Sequence, residues 1–269
     1  MVTLETAETA DETAERIASL PVDDPRVSHG LFTVAEAAAL LDVPRSTFAA
    51  WVHGYHHEAP DRAPVTGRPI VLSLAGGRGE PVIPFLGLAE GLALGAFRRA
   101  GVPLQRIRPA LERLDRELGL RHALASALLA TDGAELLYDC GACPAPAGGP
   151  ELVTVRDGQR VFAPLVCDQL RHVRYGRDHW PDRLELPGFS IARVVVDPGL
   201  AMGRPVLEPS RVQVAEVVGR WLAGESMAEL AGRLGLPGPE VEDVVRAATS
   251  RPGMVCRGGR QLRFEPVLV

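Results

Sequence analysis

The chain has 269 residues, 46% hydrophobic and 23% charged, with 34 acidic residues against 29 basic ones, all of them Arg, for a net charge of -5. That length holds two or three domains with real cores, and the apolar share excludes a disordered chain, while the mild negative charge argues against indiscriminate coating of nucleic acid without excluding a site-specific reader that has a local basic face. No apolar run approaches the ~20 residues of a membrane helix and the first residues are acidic where an export signal would be basic, so a cytoplasmic protein is expected, its four cysteines reduced.

Residues 1–28 carry Glu5, Glu8, Asp11, Glu12 and Glu15 ahead of a Pro-Val-Asp-Asp-Pro break and read as an acidic flexible arm. The stretch from Leu31 to Tyr55, LFTVAEAAALLDVPRSTFAAWVHGY, has the grammar of a helix-turn-helix. Thr33 and Glu36 form a capping box, small Ala37 sits where two helices must approach, and Asp42 tolerates a left-handed turn. Pro44 then opens a second helix whose apolar face is Phe48, Trp51 and Val52. The start of that helix would face a major groove, which makes Arg45, Ser46 and Thr47 candidate DNA-binding residues: Arg can fork onto guanine or phosphate, and Ser or Thr can serve either.

After Gly54-Tyr55, turns at Gly67, Gly76-Gly77 and Gly79 alternate with the apolar runs Ile70, Val71, Leu72 and Val82, Ile83, a pattern that predicts a β-wing. Arg62, Arg68 and Arg78 lie in it, within reach of phosphates flanking the groove. His53, His56 and His57 lack a companion cysteine or carboxylate pattern and read as loop histidines near that face, not as metal ligands. The helix-turn-helix resembles that of the MerR family, through T-x2-EAA-x2-L-x-VPRST-x3-W. The resemblance implies a winged helix-turn-helix domain over residues 29–119.

Two helices are predicted between Phe85 and Leu118, joined at Gly101-Val102-Pro103, with Leu88, Leu92 and Phe97 on one face of the first and Leu104, Ile107, Leu111, Leu114 and Leu118 on one face of the second. Arg98, Arg99, Arg106 and Arg108 gather about the junction, and the second helix is the candidate dimer contact. Residues 120–189 read as a small mixed α/β connector: a helix ending at Asp132-Gly133, a strand from Glu135 to Tyr138, and a hairpin of Leu152–Arg156 with Gln159–Phe162 about Asp157-Gly158. The run Leu165 to Val173 is ambiguous between strand and helix. Cys140 and Cys143 form a CxxC in a Gly/Pro loop, but zinc needs four ligands, and Cys167 or His172 would have to fold nearby to complete the set. Reduced loop thiols are expected, with no metal and no cofactor.

The stretch from Arg193 to Ala248 reads as a complete small module. Val194, Val195 and Val196 make a strand stopped by Asp197-Pro198, and the connector's strands are expected to pair with it. Val214, Val217, Val218, Trp221 and Leu222 give a helix closed by Gly224. Ser226 and Glu229 cap a second helix that stops at a left-handed Gly235, and Val241, Val244, Val245 and Ala248 stripe a third. The tail from Gly253 is expected to form a hairpin at Gly258-Gly259 that adds an edge strand. The fold class expected overall is mainly α with small β elements, the C-terminal domain being residues 190–269.

The sequence Asp197-Pro198, then Gly203-Arg204-Pro205-Val206, then Ser210-Arg211-Val212 is similar to the signature of domain-of-unknown-function family 433 (DUF 433), and the order of modules from Leu31 to Ala248 resembles large VapB-type antitoxins. The resemblance implies an antitoxin of a type II toxin-antitoxin system that binds a double-stranded DNA operator, represses its operon and neutralises a PIN-like ribonuclease toxin; a homodimer is expected because one helix-turn-helix reads a short half-site and a twofold copy gains specificity with the same surface. A nuclease site of that kind gathers carboxylates round a metal, so Arg204 and Arg211, held in loops, are the candidate partner-binding residues. The alternative is a MerR-like regulator that senses a small ligand or redox state through the connector. No phosphate loop, nucleophile elbow or paired-His motif is present, so no catalytic residue is assigned and an enzyme is not expected.

Overall fold

The computed structural model describes residues 20–59, 62–99, 103–127, 152–153, 160–161, 171–251, 253–254, 256–257 and 260–261. Residues 1–19 of the acidic arm, the expected strand Glu135–Tyr138 and the Cys140/Cys143 loop lie outside them. Residues 20–28, expected in the arm, are built into the body: Asp24 caps the short helix α1 (Pro25–Ser28) by accepting from Arg26 N, and the Arg26 guanidinium reaches Asp178 at 2.6 Å. The fold is mainly α with small sheets, as expected, and no described helix is long and apolar enough to cross a membrane.

Strand β1 (Gly30–Phe32) leads into α2 (Val34–Leu40), whose start is fixed by the expected capping box: Thr33 Oγ1 accepts from Glu36 N, and Glu36 Oε2 accepts from Thr33 N at 2.8 Å. Asp42 takes the left-handed turn at φ 55, and α3 (Arg45–His53) follows. A hairpin of β2 (Tyr55–Ala59) and β3 (Arg62–Gly67) comes next, and β4 (Ile83–Pro84) returns to pair antiparallel with β1.

A hairpin therefore precedes the apolar runs expected as strands of a wing, and of those runs only Ile83 enters a strand, β4. Ile70 to Leu72 form no strand, because their N–H groups are taken elsewhere: Ile70 and Val71 donate to Trp51 O, and Leu72 donates to Glu90 Oε2 at 2.6 Å. Helix α4 (Phe85–Arg99) is the centre of the core. Every residue from Phe85 to Phe97 is buried, so the single apolar face read from Leu88, Leu92 and Phe97 understates a helix covered on all sides. Gly91 permits this, since a Cβ there would press on Leu41 and Phe48 at 2.7 Å. Helix α5 (Leu104–Leu118) packs Ile107 and Leu114 inward and ends at left-handed Gly119.

Two short strands, β5 (Leu152–Val153) and β6 (Arg160–Val161), pair as the expected connector hairpin. The main sheet is antiparallel in the order β10-β9-β8-β7, from β7 (Val173–Tyr175), β8 (Pro181–Glu185), β9 (Val194–Val196) and β10 (Val206–Leu207). Val195 faces Val206 and Val196 faces Leu184 across the ladders, so β9 does pair with a connector strand and all three of its valines are buried.

Helices α6 (Val214–Leu222), α7 (Met227–Leu234) and α8 (Gly238–Ser250) complete the module, with the Ser226/Glu229 capping box and left-handed Gly235 where the sequence puts them. The C-terminal strands β11 (Cys256–Arg257) and β12 (Arg260–Gln261) pair antiparallel. They stand as a separate two-stranded unit, not as the expected edge of the main sheet, since among the described residues they bond only to each other.

Candidate nucleic-acid interface and partner surface

Phe48, Trp51 and Val52 hold α3 down: all three are buried, and the Phe48 and Trp51 rings meet edge to face at 5.9 Å. With its inner face fixed, α3 presents Arg45 and Ser46 to solvent and leaves Thr47 half-buried. A helix of nine residues is about 13.5 Å long, matched to a major groove about 12 Å wide. Arg45, Ala49 and His53, four residues apart, share one exposed side of α3 and form one wall of an open groove of about 800 Å³; the other wall is the loop from Ser73 to Glu80.

The hairpin stands at the C-terminal end of α3. Arg62 pairs with Ala59 at its tip, and Arg68 follows β3 with its side chain exposed. The hairpin base is pinned from α5: the Arg108 guanidinium lies 5.4 Å from the Tyr55 ring and donates to the Arg68 carbonyl. The histidines expected in a loop lie in regular elements, His53 at the end of α3 and His56 and His57 in β2, and His56 Nδ1 bonds Thr66 Oγ1 across the strands at 2.9 Å. At the end of α4, Arg98 sits 6.0 Å over the Trp51 ring. Of the expected basic residues, Arg98 thus packs on α3 and Arg108 on the hairpin base.

The two candidate partner residues differ in setting. Arg204 follows a turn in which Ala201, Met202 and Gly203 all have positive φ, and it points back at α2, 6.0 Å over the Phe32 ring and 3.8 Å from Glu36 Oε1. It lies at the edge of a cavity of about 190 Å³ between α2 and the start of α6. Arg211, itself left-handed at φ 61, bonds through its N–H to Leu207 O and leaves its side chain in solvent.

Three polar groups that position these surfaces carry no sequence signal. Glu90, in the middle of α4 and 3% exposed, accepts from Leu72 N and lies 2.9 Å from His122 Nδ1. Burial alone would lower the His122 pKa, but the Glu90 carboxylate outweighs it and raises it. Asp243, on α8, is 2% exposed, and one of its oxygens accepts from Ser190, Ile191 and Ala192 N at 2.8, 2.6 and 2.9 Å. Desolvation would raise its pKa; those backbone donors and Arg246 win and hold it below the ordinary value. Arg251 donates to Ala39 O at 3.3 Å and to Gly188 O, with its guanidinium stacked 5.4 Å from Phe189.

A helix pair with an exposed basic start, followed by an antiparallel sheet and a three-helix module, defines a class of two-module protein. Residues 30–111 match the family model described as "Putative DNA-binding HTH domain", and residues 194–248 match "Protein of unknown function (DUF433)". The curated protein described as "Putative antitoxin VapB45", from Mycobacterium tuberculosis (strain ATCC 25618 / H37Rv), is 39% identical over 224 residues, which are 81% of this chain and 93% of that protein. "Uncharacterized protein Rv2308" of the same strain is 26% identical over 228 residues, 80% of this chain and 88% of its own. The crystal structure of Rv2018 from Mycobacterium tuberculosis has a TM-score of 0.63 at 36% identity and covers 82% of this chain and 99% of that one. This chain belongs to the VapB-type antitoxin family in which a helix-turn-helix domain precedes a DUF433 module.

Proposed function

We propose that this protein is a cytoplasmic DNA-binding antitoxin that represses its own operon through a MerR-like winged helix-turn-helix and neutralises a PIN-like ribonuclease through its C-terminal module. The observation that carries the DNA half is α3: a short helix seated on buried Phe48 and Trp51, with Arg45 and Ser46 exposed at its start. The name borne by the 39% identical relative supports the antitoxin half. Base reading is assigned to Arg45, Ser46 and Thr47, and sequence-independent phosphate contact to Arg62 and Arg68. Arg204 and Arg211 are assigned to the carboxylates of the toxin site. The working unit is a homodimer, because one helix reads a short half-site and a twofold copy doubles it with the same surface; α5 contributes to that contact.

Fluorescence anisotropy on the DNA upstream of the protein's own coding sequence tests the reading. Arg45→Ala loses about 1–3 kcal/mol and changes base preference, whereas Arg62→Ala and Arg68→Ala weaken all sequences alike and lower the salt slope by about one unit each. Equal, sequence-independent losses for all three variants would remove Arg45 from base reading. Light scattering at operator-binding concentration that returns the mass of one chain would exclude the dimer.

A further inference from the structure

The loop facing α3 is a rigid feature, not a slack connection. Glu80 N donates to Gly77 O at 3.2 Å and Gly79 takes φ 90, which makes Gly77-Arg78-Gly79-Glu80 a tight turn with a glycine where only glycine is unstrained. The Glu80 carboxylate folds back to accept from Gly77 N at 2.7 Å, and Leu74 N donates to Val82 O at the base of the loop. Gly76 lies flat against that base, where a Cβ would come within 2.6 Å of Val82 Cγ1. At the apex the Arg78 side chain is exposed and makes no hydrogen bond or ion pair among the described residues.

The groove between this turn and α3 has a distinct chemistry. Arg45 and His53 stand on one wall with small Ala49, Arg78 stands on the other with small Ser73 and Ala75, and among the described residues no Phe, Tyr or Trp lines it. Glu80 is the one carboxylate in the lining, and it is already engaged with Gly77. A site for a small organic ligand is mostly apolar and encloses its guest, which this open, thinly lined groove does not do. A linear polyanion fits: it needs cations on both sides, small side chains between and open ends.

We infer that this groove seats one phosphodiester strand of duplex DNA, with Arg78 as the charge contact on the wall opposite Arg45. The inference rests on the DNA-binding reading and adds to it a second grip, independent of the β2–β3 hairpin. Duplex RNA is excluded as the occupant by shape, since its deep, narrow major groove does not admit α3.

The test uses the full chain and a mixed-sequence DNA duplex of about 20 base pairs, roughly two helical turns, with affinity measured by anisotropy across a fourfold range of salt. Losing one phosphate contact lowers the slope by about 0.9, so Arg78→Ala gives up about 3.5-fold less affinity over that range than wild type. Arg78→Lys keeps the wild-type slope, and so does Arg233→Ala, a charge control on α7. A wild-type slope for Arg78→Ala, in a protein whose Arg45→Ala variant binds more weakly, overturns the second grip alone. So does equal competition by duplex RNA of the same sequence. Wild-type protein that fails to bind DNA even at low salt removes the DNA-binding reading and this inference with it.

Discussion

Asp243 offers the sharpest test of how the C-terminal module is held together. Its side chain joins α8 to the segment that enters β9, and three successive N–H groups converge on one of its oxygens. Replacing it with Ala strips all three donors of their acceptor. Ala192 is buried and cannot turn to water, so its bond carries the full penalty of a charge-assisted interaction, about 1.5–3 kcal/mol; Ser190 and Ile191 lie at the surface and recover part of theirs, leaving roughly 0.5–1.5 kcal/mol each. The expected loss is about 2.5–6 kcal/mol for Asp243→Ala and less for Asp243→Asn, which keeps an oxygen in place. Urea unfolding followed by circular dichroism measures it. The pH dependence is signed: the folded pKa lies below the ordinary 3.8, so the contribution is complete above that value and fades as pH falls through the folded pKa. The gap between wild type and Asp243→Ala is therefore constant near neutrality and closes in acid. A loss under ~1 kcal/mol, or a gap that widens in acid, refutes the reasoning.

His122 gives the opposite sign. Its pKa is raised above the ordinary 6.5 by Glu90, so its stabilisation is complete below that pH and is lost as pH rises through the folded value. Wild type should exceed His122→Gln in melting temperature most at pH ~5.5 and least at pH ~8.5, and a flat difference would mean that the pair is not ionised. Two glycines of α4 separate local propensity from packing. A Cβ at Gly87 would lie 2.2 Å from the Leu72 carbonyl oxygen, whereas at Gly95 the nearest atom is the flexible Arg99 guanidinium at 3.4 Å. Gly87→Ala should cost about 1–3 kcal/mol through the clash, and Gly95→Ala should be neutral or gain up to ~1 kcal/mol of helix propensity, both read from chemical denaturation; similar effects at the two sites would count against the close packing of α4 on Leu72.

What was legible in the sequence is what local chemistry fixes. Both capping boxes, the left-handed residues Asp42 and Gly235, and the β-branched strand at Val194 involve partners within a few residues, and each stands where the pattern puts it. The β2–β3 hairpin was not legible because YHHEA and RAPVTG show no apolar alternation and contain Pro64. Its support is tertiary: the Tyr55 ring lies on Gly67, where a Cβ would approach to 2.3 Å, and Arg108 covers the ring from α5. The apolar run at Ile70 looked like the better strand, yet its donors belong to Trp51 and Glu90. Buried acids fail for the same reason. Asp243 breaks an otherwise apolar stripe and reads as solvated, while its backbone donors lie 51 to 53 residues away. At the candidate interface, the exposed start of α3 could be read from helix periodicity, but the wall opposite it could not, because nothing in the sequence sets the Gly77–Glu80 turn across from α3.

The position of α2 decides how the partner assignments can be read. All residues from Glu36 to Leu40 are buried, more than packing on α3 requires of one helix face, because the C-terminal module closes over the other side. Arg204 reaches Glu36 and the Phe32 ring, Arg251 donates to Ala39 O, and Gly203 passes so near Leu31 that a Cβ would sit 2.6 Å from its methyl carbon. The helix that supports α3 is thus also the docking edge of the DUF433 module. A C-terminal fragment starting at Phe189 would lose this edge and, with β7 and β8, the ladder that covers one side of β9. Arg204→Ala removes a seam contact together with any toxin contact, so loss of inhibition by that variant does not distinguish the two. Arg211 faces solvent and carries no such double duty. Because its φ is 61, the informative replacement is Asn, which tolerates the left-handed region, and its effect on inhibition reads the partner surface without disturbing α2.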